Sequence, residues 1–148
     1  DLKNLKLHTS NGAISIDGIT ADEITADTSN GSIHAKDVKV LNKSVFTSSN
    51  GKIELYGTFN DSTYAKTSNG KVIGDGAFKG DTVFKSSNGS IEFTTSVKRN
   101  ECEIKADTSN GTVRIDGNKV TDEYHENTGA SNLADLKTSN GSITVEFR

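Results

Sequence analysis

The chain has 148 residues, one domain's worth, and a net charge of −3 in which 17 basic and 20 acidic side chains are interspersed, so it has no overall field to gather nucleic acid or anionic lipid. Apolar residues are only 31% and there is no Pro, Met or Trp, a balance that in an aperiodic chain would read as disorder. The single Cys102 excludes an intrachain disulfide framework and a cysteine-built metal site, and reads as a small, half-buried apolar residue.

A repeat overrides the disorder reading. Taken in chain order, the predicted strands are punctuated by Thr-Ser-Asn-Gly, or Ser-Ser-Asn-Gly, closing at Gly12, Gly31, Gly51, Gly70, Gly89, Gly111 and Gly141. The intervals are 19, 20, 19, 19, 22 and 30 residues, the signature of a solenoid whose coils bury their apolar faces only against one another. Five residues ahead of each glycine stand Leu7, Ala26, Phe46, Ala65, Phe84, Ala106 and Leu136. Two residues after it come Ile14, Ile33, Ile53, Val72, Ile91, Val113 and Ile143, and two further on Ile16, Ala35, Leu55, Gly74, Phe93, Ile115 and Val145. Polar residues mostly separate these columns, so the local period is two and both flanks of each motif are β-strands. Large and small residues alternate down the first column, leaving room for Phe46, Phe84 and Phe93 in a packed core.

Asn-Gly between strands is also the strongest short hairpin signal, so a meander competes with the coil reading. A meander would not require one side chain at the same place in all seven turns, whereas stacked coils would. The expectation is a single-stranded β-helix of about seven coils of roughly 19–20 residues, one domain over residues 1–148. Its corners place Asn in the left-handed region and finish with Gly. Asn11, Asn30, Asn50, Asn69, Asn88, Asn110 and Asn140 then form one ladder. Loss of Asn69 should cost about 1–3 kcal/mol, more than loss of Asn11 near an open end. Ile19, Ile24, Val38, Val40, Phe59, Ala77, Phe78, Val97 and Ile104 supply a third, shorter wall, and Asp17-Gly18, Asp75-Gly76 and Asp116-Gly117 mark turns.

One stretch departs from the repeat. Residues 118–132 are polar and aperiodic, and such insertions are expected as loops on the outside of a solenoid. The chain opens at Asp1, partway through a repeat, which suggests a portion of a longer protein. No secretory signal and no apolar run long enough to span a bilayer occurs in the sequence, so direct membrane insertion by this segment is not expected.

Strands carrying Ser-Asn-Gly-x-Ile/Val, as in Ser10-Asn11-Gly12-Ala13-Ile14, resemble the bacterial adhesin-like repeat family DUF4097 from about Leu5 to Phe147. The resemblance implies a β-solenoid and a place at the cell envelope or cell surface. It brings no catalytic residues.

A catalytic or binding site needs one place unlike the rest, and the repetition breaks at residues 118–132. Asp122, Glu123, Tyr124, His125 and Glu126 put acid, base and aromatic groups in one loop, the candidate binding site. His8 above Asp27, in a column continuing Thr47, Lys66, Lys85, Asp107 and Lys137, reads as a solvated face of mixed sign, and neither His8 nor His34 reads as catalytic. Metal-ligand spacings, phosphate loops and nucleophile signatures are missing, and Ser10, Ser29, Ser49, Ser68, Ser87, Ser109 and Ser139 repeat where a nucleophile would be unique. The expected function is therefore non-catalytic, without cofactor or metal: an envelope scaffold or adhesin-like module that binds an envelope protein, glycan or wall polymer, and no nucleic acid. A carbohydrate-active enzyme with its site at 118–132 is the alternative, and an ice-binding surface is weakened because the Thr9 column points inward by parity.

Overall fold

The computed structural model describes residues 2–148 and is an all-β solenoid in which 15 strands form one continuous sheet wound around a narrow core. Coil one is β1 (Leu2–Thr9) and β2 (Ile14–Asp17). Coil two is β3 (Thr20–Thr28) and the first part of β4 (Ile33–Ser48), whose second part leads into β5 (Ile53–Phe59) as coil three. Coils four to six are β6 (Ser62–Asn69) with β7 (Val72–Phe78), β8 (Asp81–Asn88) with β9 (Ile91–Thr95), and β10 (Cys102–Asn110) with β11 (Val113–Ile115). The insertion holds β12 (Asn118–Val120) and β13 (Glu123–Glu126), and coil seven is β14 (Asn132–Asn140) and β15 (Ile143–Phe147).

All pairings between coils are parallel and keep the motifs in register, which decides for stacked coils over a hairpin meander. Asn30, Asn50, Asn69, Asn88, Asn140 and Asn110 each donate from Nδ2 to the Oδ1 of the preceding rung, beginning at Asn11, over 2.7–2.9 Å. The ladder runs along an exposed corner, so an interior rung is worth a typical net bond, about 0.5–1.5 kcal/mol, and not the larger penalty of a buried unmet amide. A second ladder lies inside it. Thr28, Ser48, Thr67, Ser86, Thr138 and Thr108 are buried and donate through their hydroxyls to motif-glycine carbonyls of the preceding coil over 2.7–3.0 Å.

The corner itself differs from expectation. Neither the motif asparagines nor the motif glycines have positive φ. Glycine is needed for close approach: a Cβ on Gly70 would sit 2.1 Å from the Gly51 carbonyl oxygen, and the other motif glycines from Gly31 onward are in the same position. Asp75-Gly76 is no turn either, because β7 continues through it and pairs Gly76 with Gly57 as both strands round the corner.

Two ladders report a further departure. Asn140 lies between Asn88 and Asn110, and β14 pairs with both β8 and β10. The stacking order of coils is one, two, three, four, five, seven, six. Large and small therefore do not alternate throughout the first column, since Phe84 and Leu136 are neighbours before Ala106. Farther up the stack, alternation does make room for rings. Phe59 and Phe78 stack at 4.9 Å, Phe84 meets Phe78 edge-on at 5.7 Å, and a Cβ on Gly74 would lie 2.6 Å from the Phe84 ring.

The two ends are unlike. Among the described residues β1 pairs only with β3, leaving an open edge with Leu2 42% exposed, whereas coil six is covered by β12 and β13. Residues 118–132 are thus not an outer loop. β12 pairs antiparallel with β11 and β13 with β10, where Tyr124 faces Ala106. An antiparallel cap satisfies edge groups that would otherwise template association.

Candidate functional site

The candidate site is built on that cap, where residues unlike the repeat converge on Arg99. After β9 the chain makes a single 3₁₀ turn at Arg99–Glu101 on its way to β10, and this projects Arg99 toward the cap. Arg99 donates from Nε to Glu126 Oε2 at 2.7 Å and from Nη2 to Oε1 at 2.6 Å, a paired geometry suited to the planar guanidinium. Its Nη1 reaches Asp116 Oδ2 at 3.1 Å, and Tyr124 donates its hydroxyl to Glu126 Oε1 at 2.5 Å.

Alternation along β13 separates the predicted residues. Tyr124 and Glu126 are half-buried against Arg99, while Glu123 and His125 are exposed. His125 Nε2 lies 2.7 Å from Glu103 Oε2, and the Gly129 amide donates to Glu103 Oε1 at 3.0 Å. Asp122 accepts from the Thr108 amide through its main-chain oxygen, and its side chain is exposed, as is that of Glu123. The five residues therefore do not form one constellation. Two fasten the cap to Arg99, one fastens it to β10, and two face solvent.

Electrostatics follow from these partners. The hydrogen bonds from Arg99, with a smaller one from Tyr124, hold the Glu126 carboxyl down at about 2, and Arg99 itself is pushed up by Glu126. Glu103 is lowered first by the Gly129 amide and then by His125. The bond to Glu126, reinforced by burial, raises the Tyr124 phenol. Cys102 is fully buried beside this region and burial pushes its thiol up to about 11, so it is an unreactive packing residue.

Sequence reasoning missed Arg99, Asp116 and Glu103: Arg99 lies 27 positions from Glu126, Asp116 lies 17 from Arg99 and Glu103 lies 22 from His125, with no local pattern announcing any of these contacts. It also passed over a group on coils two and three. His34 Nδ1 is 3.3 Å from Glu54 Oε2, Tyr56 donates to the same oxygen at 3.2 Å, and Lys52 pairs with Glu54 at 3.0 Å, lowering its carboxyl. Column alignment would have found this group, because His34 and Glu54 both stand three residues after a motif glycine. His8 does meet Asp27, at 3.2 Å, as the columns imply.

No group of three or more His, Cys, Asp or Glu positioned to hold a metal occurs among the described residues, and no helix is long and apolar enough to cross a membrane. The family model described as Toastrack DUF4097 matches residues 1–146. Neither the comparison with curated proteins nor that with solved structures returns a match.

Proposed function

Because this chain belongs to the Toastrack DUF4097 family, we propose that it acts without catalysis, as a rigid binding scaffold at the bacterial cell envelope. The observation that carries this reading is the use made of the cap. A glycoside hydrolase needs one carboxyl kept protonated at neutral pH and a second facing it across the bond to be broken. Here Glu126 is held ionised down to about pH 2 by Arg99, and Glu103 is lowered by Gly129 and His125, so each serves the closure of the stack. What remains for recognition is the long, regular outer face, whose ladders keep side chains at fixed spacing. Such a face suits a wall polymer or glycan with a repeat of its own.

Cosedimentation with isolated bacterial walls tests the reading. Saturable binding is expected, with no new reducing ends released from a panel of envelope glycans. Cleavage of any glycan that disappears in Glu126→Gln or Glu103→Gln, with the fold retained, would replace the scaffold by an enzyme.

A further inference from the structure

The late placement of coil seven rearranges the outward column four residues ahead of each motif glycine. Down the stack it runs His8, Asp27, Thr47, Lys66, Lys85, Lys137, Asp107, each in register with the next. Chain order would put Asp107 between the second and third lysines. Stacking order instead sets three lysines on three consecutive strands, about 4.8 Å apart. None of them joins an ion pair among the described residues, although Lys52, Lys71 and Lys105 each do. Like charges directly opposite one another oppose folding, so packing does not account for the row.

Alongside it, two residues further on the same face, stand Ser68, Ser87 and Ser139. A shallow depression of about 210 Å³ is lined by Lys66, Lys85, Lys137, Ser87 and Ser139. Compact ammonium groups with three donors each, next to hydroxyls, suit phosphate oxygens, which they meet as point charges. The row runs across the strands, along the stack axis, so its ligand must be linear and must repeat its charge. We propose that Lys66, Lys85 and Lys137 form a binding face for a polyol-phosphate wall polymer laid along the solenoid axis. This rests on the envelope-scaffold reading and specifies its ligand. Single-stranded nucleic acid shares the phosphodiester but needs aromatic rings on which to stack its bases. The residues flanking the row on its other side are Tyr64, Val83 and Asp135, which supply one ring and a carboxylate.

Titration of the intact chain with purified poly(glycerol phosphate) decides the matter. Combined Lys66→Gln, Lys85→Gln and Lys137→Gln should weaken binding about a hundredfold, at roughly fivefold per lysine beside an anionic surface, and flatten its salt dependence. The corresponding triple change to arginine should retain binding. Combined Lys36→Gln, Lys39→Gln and Lys98→Gln alters the net charge equally and should leave affinity within a factor of about two, because exposed charges beyond the screening length contribute little. Thermal unfolding of the first variant should be no lower than that of the parent, since a like-charge row has been removed. The proposal is overturned if the native chain does not bind the polymer, if the first variant binds as tightly as the parent, if the control loses as much, or if a single-stranded oligonucleotide binds equally well. Native binding to walls that the first variant keeps would overturn the lysine row and leave the scaffold reading standing. Binding to the polymer without binding to walls would do the reverse.

Discussion

Gly70 and Gly12 occupy the same place in the motif for different reasons. Toward the preceding coil, Gly70 faces the Gly51 carbonyl, and an added Cβ would lie 2.1 Å from that oxygen; Gly12 is on the open edge, where a Cβ meets the Thr9 side chain, at 3.2 Å from Oγ1 and 3.8 Å from Cγ2, and no backbone. Gly70→Ala must push two coils apart and is expected to cost about 3 kcal/mol or more, while Gly12→Ala should stay within about 0.5 kcal/mol. Urea midpoints measure both, and equal shifts would mean that the coils do not approach so closely. Thr82 offers the opposite case. Its buried hydroxyl has no partner, whereas Ser44 on the same inward column donates to Thr63 at 3.3 Å. Thr82→Val removes an orphaned polar atom at nearly constant shape and should stabilise by about 1 kcal/mol. A loss of stability would indicate that the hydroxyl is satisfied in solution.

Between elements, the order of the coils is directly testable. Ser87 and Ser139 lie on adjacent strands, flanked by the pairs Ser86–Thr138 and Asn88–Asn140. Ser109 is one strand further away, roughly 9.6 Å from Ser87 at the usual strand spacing. A disulfide should therefore form in Ser87→Cys/Ser139→Cys and fail in Ser87→Cys/Ser109→Cys, since Cα atoms more than about 7 Å apart cannot be bridged. Mobility on a non-reducing gel distinguishes them, and the reverse result would restore chain order to the stack. The cap has its own signature in pH. Glu126 has its carboxyl lowered from 4.5 to about 2 by Arg99, so its contribution is complete above the unfolded value and is lost as pH falls from about 4.5 through 2. Because the Arg99 side chain is 37% exposed, the loss is expected to be on the order of 1–2 kcal/mol. Glu126→Gln should flatten that part of the stability profile, and an unchanged acid limb would exclude the pair as its cause.

For the molecule as a whole, residues 118–132 do two things at once. They cover coil six with antiparallel strands and bring the chain back to the slot beside β8. A short turn in their place cannot return the chain from Ile115 to Asn132 across a coil and leaves β10 and β11 uncovered. The shortened protein is expected to lose its single cooperative thermal transition, whereas an outer loop could be removed at little cost. Retention of that transition with an unchanged midpoint would show that the stack closes without its cap.

Much of this fold was legible in the sequence because it follows from rules applied once per coil. Period two assigns Ile33 inward and His34 outward, and the seven asparagines imply one ladder. Even the inward turn of the Thr9 column came from parity, although its hydroxyl bonds to glycine carbonyls did not. The order of stacking could not be read in this way. Every coil presents nearly the same chemistry above and below, so coil seven fits against coil five as well as coil six does, and no local residue discriminates. Only the return path through the cap, held by Arg99, Asp116, Tyr124 and Glu126 from distant parts of the chain, decides it. The same tertiary choice, absent from any column read in chain order, sets Lys137 beside Lys85.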